Sequence, residues 1–286
     1  MEGFGLNLLV FQEKFPDEDA CEAYLIQTRW PEGYVCEDCG SKESWYLNAR
    51  RSFQCQCCNN QRTITAGTMF HASHTPLREW FLAIYLVTES KKGISALELA
   101  HHLGMSDSRR ASRLKRRIQE AMTARNERYL LKGFVELDEA VFAEGGENTN
   151  VLVAVSLEEE TGSPKYVRFQ VVENMKAATL ESAATHCIEA SADIATDAHP
   201  SHNALGEHFN EHISCRQDKP SDAGEYLPWV HILISNAKRF INGTHHAVNN
   251  LQGYLEEFSW RFNRRFCNLF HRMIVASVSY KPAYLL

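Results

Sequence analysis

No apolar run in the 286 residues reaches the eighteen or so that cross a bilayer as a helix, so no membrane span is expected. The opening stretch MEGFGLNLLVFQEKF lacks a basic n-region and a small-residue cleavage site, so no secretory signal is expected either. Together these absences favour a cytoplasmic protein, whose cysteines stay reduced. Internal repeats and low-complexity tracts are missing too. So is an excess of positive charge: 30 Lys and Arg stand against 36 Asp and Glu, a net −6, which argues against a protein that simply coats nucleic acid. Residues 1–130 hold 17 basic and 16 acidic side chains, and the remainder 13 and 20. Local fields rather than totals then decide any contact with nucleic acid.

What remains is an ordinary globular composition, 44% hydrophobic and 23% charged, at a length that suits about two domains. The nine cysteines are not evenly spread. Five of them lie between positions 36 and 58, which points to metal rather than to disulfides. CEDC at 36–39 and CQCC at 55–58 are two Cys-x-x-Cys knuckles with fifteen residues between Cys39 and Cys55. Two such knuckles supply four thiolates to one tetrahedral zinc, with Cys36, Cys39, Cys55 and Cys58 as ligands and Cys57 as the alternative in the second knuckle. A closed site of this kind is structural. Cys21, Cys187, Cys215 and Cys267 read as small core residues. Arg50, Arg51 and Arg62 flank the knuckles, so the ribbon meets either nucleic acid or protein.

Pro-Asp before EDACEAYLIQTRW marks a helix start, and PLREWFLAIYLVTES reads as a buried helix. In SALELAHHLGMSDSRRASRLKRRIQEAM, two helices, 95–103 and about 107–123, are joined by LGMS. Leu97, Leu99, Leu103 and Met105 are expected on the packed face. Six of the nine residues from 109 to 117 are basic. With helix-turn-helix spacing before them, Arg109, Arg110, Arg113, Arg116 and Arg117 are expected to contact double-stranded DNA.

Beyond residue 132 the texture changes. GFVELDEAVF, TNVLVAVSLE and KYVRFQVVE read as a three-strand meander, with EEE at 158–160 leading into a hairpin turn. A helix over KAATLESAATHCIEAS, a short strand ADIATDAH and a mostly helical tail from about 228 follow. The fold class is α+β. Asp138 inside the first strand and Asp197 at the end of the short one would repel each other if brought together, and would then favour a divalent cation. Glu136 and Glu139 flank Asp138 and are expected on the opposite face. YLEEFSWRF is a core helix, with Arg261, Arg264 and Arg265 at its basic end. His245 and His246 in GTHH are adjacent and point apart.

The stretch from FQCQCCNNQRTITAGT to LAHHLGMS, together with VELDEAVF, TDAHPSHNAL, ISNAKRFINGTHHAV and LQGYLEEFSWRFNRRF, resembles bacterial insertion-sequence transposases of the DDE type. The resemblance runs from about residue 15 to 280. It implies a helix and zinc ribbon over 1–75, a helix-turn-helix region over 76–130 and a ribonuclease H-like mixed-sheet catalytic domain over 131–286. It implies that Asp138, Asp197 and Asn236 hold catalytic Mg²⁺ (Mn²⁺ can substitute), with Lys238 nearby. It further implies DNA transposition by cleavage and strand transfer, a homo-oligomer of at least two copies on DNA, and a nucleoid-associated location. The chain departs from the pattern in having no Glu in HILISNAKRF. His231, seven residues before Lys238, stands where acid-bearing relatives have Glu, and Glu225 is more distant. The segment after DEAVFAEGG is short and not basic. A catalytically inactive, transposase-derived DNA-binding protein and a nuclease without strand transfer are the alternatives.

Overall fold

The structure is a computed structural model that describes residues 6–215, 227–244 and 248–282. Its helices are α1 (Leu8–Lys14), α2 (Glu18–Arg29), α3 (Leu77–Glu89), α4 (Ala96–His102), α5 (Ser108–Asn126), α6 (Ala177–Cys187), α7 (Pro228–Thr244), α8 (Leu251–Asn263) and α9 (Leu269–Ser279). Its strands are β1 (Ser44–Leu47), β2 (Ser52–Cys55), β3 (Gln61–Thr63), β4 (Phe134–Glu144), β5 (Glu147–Leu157), β6 (Pro164–Val172), β7 (Asp193–Asp197) and β8 (Glu211–Cys215). They fall into two compact units, residues 1–121 with 266–286 and residues 122–265.

The first unit groups the ribbon and helix-turn-helix segments and draws the last helix back to them. The cause is aromatic packing: Phe270 of α9 has Phe11, Phe15, Tyr24 and Phe81 around it at ring-centroid distances of 5.3–6.3 Å. Phe11 sits on α1, a helix the sequence did not announce, capped by Asn7 accepting from the Val10 N–H. Pro76 gives α3 no side-chain cap. The Glu18 carboxylate serves instead, accepting from the N–H groups of Leu77 and Arg78. In the helix pair α4–α5, Gly104 takes the turn at φ +63, a left-handed conformation that costs glycine little. Leu99 is buried as expected, but Leu97 is 73% exposed and does not belong to the packed face. Two residues, about 200° round the helix, separate it from Leu99.

The second unit is built on a five-stranded sheet of order β6-β5-β4-β7-β8. β4, β5 and β6 run antiparallel, whereas β7 lies parallel to β4 and β8 parallel to β7. This is a ribonuclease H-like mixed sheet. β4 and β5 meet at Gly145 and Gly146, both with positive φ, the requirement of a tight two-residue hairpin. One face of the sheet packs Val135, Leu137, Ile194 and the α6 residues Leu180 and Ala184. The other packs Ala140, Phe142, Val153 and Phe169 against α7 and α8. β8 was not anticipated: EHISC is short and mostly exposed, so it carries no apolar alternation.

β6 is an edge strand, and α8 closes its open side. Gln252 donates to the Phe169 carbonyl and accepts from the Val171 N–H, while Asn263 donates to the Val167 carbonyl and accepts from the Val167 N–H. Their amides supply what a further strand would. Inside this unit a polar centre survives burial. Asn126 donates to Glu256 Oε2 at 2.6 Å, Gln252 donates to Glu256 Oε1 at 2.9 Å, and Arg168 donates to the Asn126 carbonyl at 2.8 Å. Burial foremost pushes the Glu256 carboxyl above the usual range, against Arg168 and the two amides.

Candidate functional site

The antiparallel ribbon β1-β2-β3 brings its two knuckles together. The Sγ atoms of Cys36, Cys39, Cys55 and Cys58 all lie within 4.8 Å of one another. Cys36 and Cys58 are 3.6 Å apart, and Cys39 and Cys55 are 3.5 Å apart. A tetrahedron with ~2.3 Å Zn–S bonds has edges of about 3.8 Å, so the four sulfurs fit one zinc. Backbone N–H groups of Cys39 and Asp38 hold the Cys36 thiol below its ordinary value, and those of Cys58 and Cys57 bring Cys55 down to about 6. Cys57 is exposed and outside the cluster. Cys21 and Cys187 are buried as expected, but Cys267 is exposed and is no core residue. Arg51 is committed to Glu18 and Glu22, and Arg62 to Glu37, so these ribbon arginines are tied to acids of the chain itself.

α5 sorts its basic residues by helix angle. Arg109, Arg113 and Arg116 form one exposed stripe, in which Arg109 pairs with Asp107 and Arg116 with Glu120. Arg110 and Arg117 lie about 80–100° round from Arg109. Arg110 pairs with Glu79, and Arg117 donates to the carbonyls of Met69 and His71. Lys115 is buried and donates to the Ile94 carbonyl at 2.7 Å.

In the second unit, β4 and β7 are in register at Phe134↔Asp193, Val135↔Ile194 and Glu136↔Ala195. Continued by two more residues, that register sets Asp138 beside Asp197. Neighbouring parallel strands are about 4.8 Å apart, and the charge of Asp197, at the end of β7, reaches Asp138 in the middle of β4. His231 of α7 meets Asp138, its Nδ1 at 3.3 Å from Asp138 Oδ2. Burial foremost, then the charges of Glu139 and Asp197, push the Asp138 carboxyl up to about 6, against the Glu139 N–H and His231. The buried Nε2 of His231 has no hydrogen-bond partner among the described residues. Carboxylates and an imidazole are donor types that a divalent cation takes, but among the described residues only the four thiolates bring three or more such atoms within 4.8 Å of one another.

Asn236 is exposed and lies about 140° round α7 from His231. Lys238 shares the His231 stripe, and its Nζ lies 5.6 Å from the Phe142 ring centre. Glu225, His245 and His246 fall outside the described residues. Glu136 departs from the expectation of the opposite face. Two residues from Asp138, it shares Asp138's face, buried, and accepts from the Val230 N–H at the start of α7 at 2.7 Å. Glu139 does take the other face. There it meets His202, which sequence reasoning missed because a histidine in the polar stretch HPSHNALGE shows no sign of burial. His202 lies in the 3-10 turn Pro200–Glu207, with its side chain 1% exposed. Its Nε2 is 2.6 Å from Glu139 Oε1, and its Nδ1 2.8 Å from Asp197 Oδ1. Burial alone would lower its pKa, yet Glu139 and Asp197 outweigh it and hold the imidazole above the ordinary value. The basic end of α8 is turned to protein: Arg265 donates to the carbonyls of Pro164 and Lys165, and Arg264 stacks 3.6 Å from the Trp260 ring centre.

Residues 16–61 match the transposase zinc-ribbon domain, and residues 130–263 match the ISXO2-like transposase domain. A relative from Halobacterium salinarum, described as "Uncharacterized protein in transposable element ISH50", is 30% identical over 129 residues, covering 44% of this chain and 42% of its own length. The chain thus spans less than half the length of that relative. Among solved structures, a chain of the simian T-cell lymphotropic virus intasome in complex with PP2A regulatory subunit B56 gamma aligns with a TM-score of 0.34 and 16% identity, over 45% of this chain and 48% of that chain.

Proposed function

The chain belongs to the insertion-sequence transposases that carry a zinc ribbon and an ISXO2-like transposase domain, and from that premise we propose that it binds the ends of its own element and cuts and rejoins DNA with a divalent metal held by Asp138, Asp197 and His231. The observation that supports this reading is the parallel register of β4 and β7, which runs toward Asp138 and Asp197. When bound, the metal supplies Lewis acidity for attack on a phosphodiester by water or by a DNA 3′-hydroxyl. The protein's own groups do the rest. Asp138 and Asp197 present hard oxygens. His231 replaces Asn236 as the third group because it alone of the two faces Asp138. Lys238, on the same stripe of α7, would meet a DNA phosphate. Arg109, Arg113 and Arg116 meet the duplex backbone, and two copies act together on paired ends.

The test is strand cleavage and joining on element-end DNA with Mg²⁺ or Mn²⁺. Cleavage should vanish in Asp138→Ala and His231→Ala, with DNA binding retained, and survive in Asn236→Ala. Loss in Asn236→Ala with retention in His231→Ala would return the third position to Asn236. A second reading, a DNA-binding protein without cleavage, draws on one specific feature, a histidine where a third carboxylate would stand. Tight end binding by a parent that never cuts would favour it.

A further inference from the structure

His202 has no counterpart among the expected metal and DNA residues, yet it is the most fully buried group at the edge of the site. Each ring nitrogen meets a carboxylate oxygen, Glu139 Oε1 at 2.6 Å and Asp197 Oδ1 at 2.8 Å. The two acids come from different strands, so the imidazole ties the end of β7 to the middle of β4. Asp197 Oδ1 also accepts from the His199 N–H at 3.1 Å. With two donors on Oδ1, no partner is left for Oδ2 among the described residues. One oxygen is thus fixed by the protein and the other left to a ligand. A carboxylate free to rotate would sample both.

We propose that His202 is a positioning residue for the metal site, clamping Asp197 against Glu139 so that Asp197 Oδ2 is the oxygen turned to the cation. The inference rests on the reading that Asp138 and Asp197 hold a divalent metal. Partners that orient a ligand from behind typically matter 10–100-fold in metal affinity. Glu139, behind His202, acts at one further remove and orients the ring.

The experiment measures Mn²⁺ affinity of the full-length, zinc-loaded protein by titration calorimetry and by the loss of the free Mn²⁺ paramagnetic resonance signal. Melting temperature is recorded on every variant. Asp138→Asn tests the underlying site: if it leaves Mn²⁺ binding unchanged, the metal reading fails whatever His202 does. Given loss in Asp138→Asn, His202→Phe should weaken Mn²⁺ by about 10–100-fold. His202→Asn should restore most of the affinity, because its amide nitrogen sits where Nδ1 does and donates to Asp197. Glu139→Gln should fall between them. Parent-like Mn²⁺ affinity in a folded His202→Phe overturns the proposal. So does equal weakening in His202→Phe and His202→Asn, tracking their melting temperatures, which is what a purely structural histidine predicts.

Discussion

In the proposed site, a single substitution should change which metal the donors prefer. Carboxylates suit Mg²⁺ and Mn²⁺, whereas imidazole suits softer first-row ions, so an Asp-Asp-His set should favour Mn²⁺ over Mg²⁺. His231→Glu, which restores an all-oxygen set, should move the ratio of Mg²⁺- to Mn²⁺-supported cleavage toward Mg²⁺ by on the order of tenfold, read by initial rates in each metal. A second residue-scale prediction concerns pH. The Glu256 carboxyl is raised by burial. With a folded pKa above the unfolded ~4.3, the folded state holds this proton more tightly. The stability so gained is full below pH ~4.3 and is lost as pH rises through the folded value. Glu256→Gln keeps an acceptor for Asn126 without a charge to desolvate. Urea unfolding at pH 5 and pH 8 should show the parent losing more stability than the variant between the two.

At the scale of elements, α5 divides into an exposed stripe and a side turned to the protein. Arg113→Ala should lower the slope of log K against log salt by about 0.9, the signature of one phosphate contact on duplex DNA. Lys115→Ala should leave that slope alone and lower the melting temperature, since Lys115 bonds Ile94 inside the protein. The ribbon makes a separate demand. Thiolate coordination is folding energy, on the order of 10 kcal/mol for small zinc modules. Cys58→Ser or a strong chelator should therefore release zinc and unfold residues 36–63 as a group, followed by metal analysis and amide exchange. Much at this scale could be read from the chain. The doubled knuckle, the Gly-Gly hairpin and the alternating meander each follow from a local rule. What escaped did so for physical reasons. β8 is too short and too wet to show a period. α1 displays three exposed apolar residues, Leu8, Leu9 and Val10, where amphipathic order would place polar ones. Lys115 belongs to a dense basic run, and only the 100° step separates its burial from the exposure of Arg113.

For the whole molecule, a net charge of −6 leaves DNA affinity to local stripes, so binding should fall steeply with salt while the protein stays soluble without DNA. Family and mixed sheet were legible because several motifs stood in order along the chain. The neighbour of Asp138 was less so, because Asn236 and His231 lie on one helix and only packing shows that His231 meets Asp138. The copies proposed to meet on paired DNA ends face one restriction already written in the second unit. Backbone groups of β6 from Val167 to Val171 are occupied by side-chain amides of α8. A neighbouring chain cannot extend the sheet there unless it first evicts Gln252 and Asn263. A continuous sheet across a dimer is thereby barred at this border.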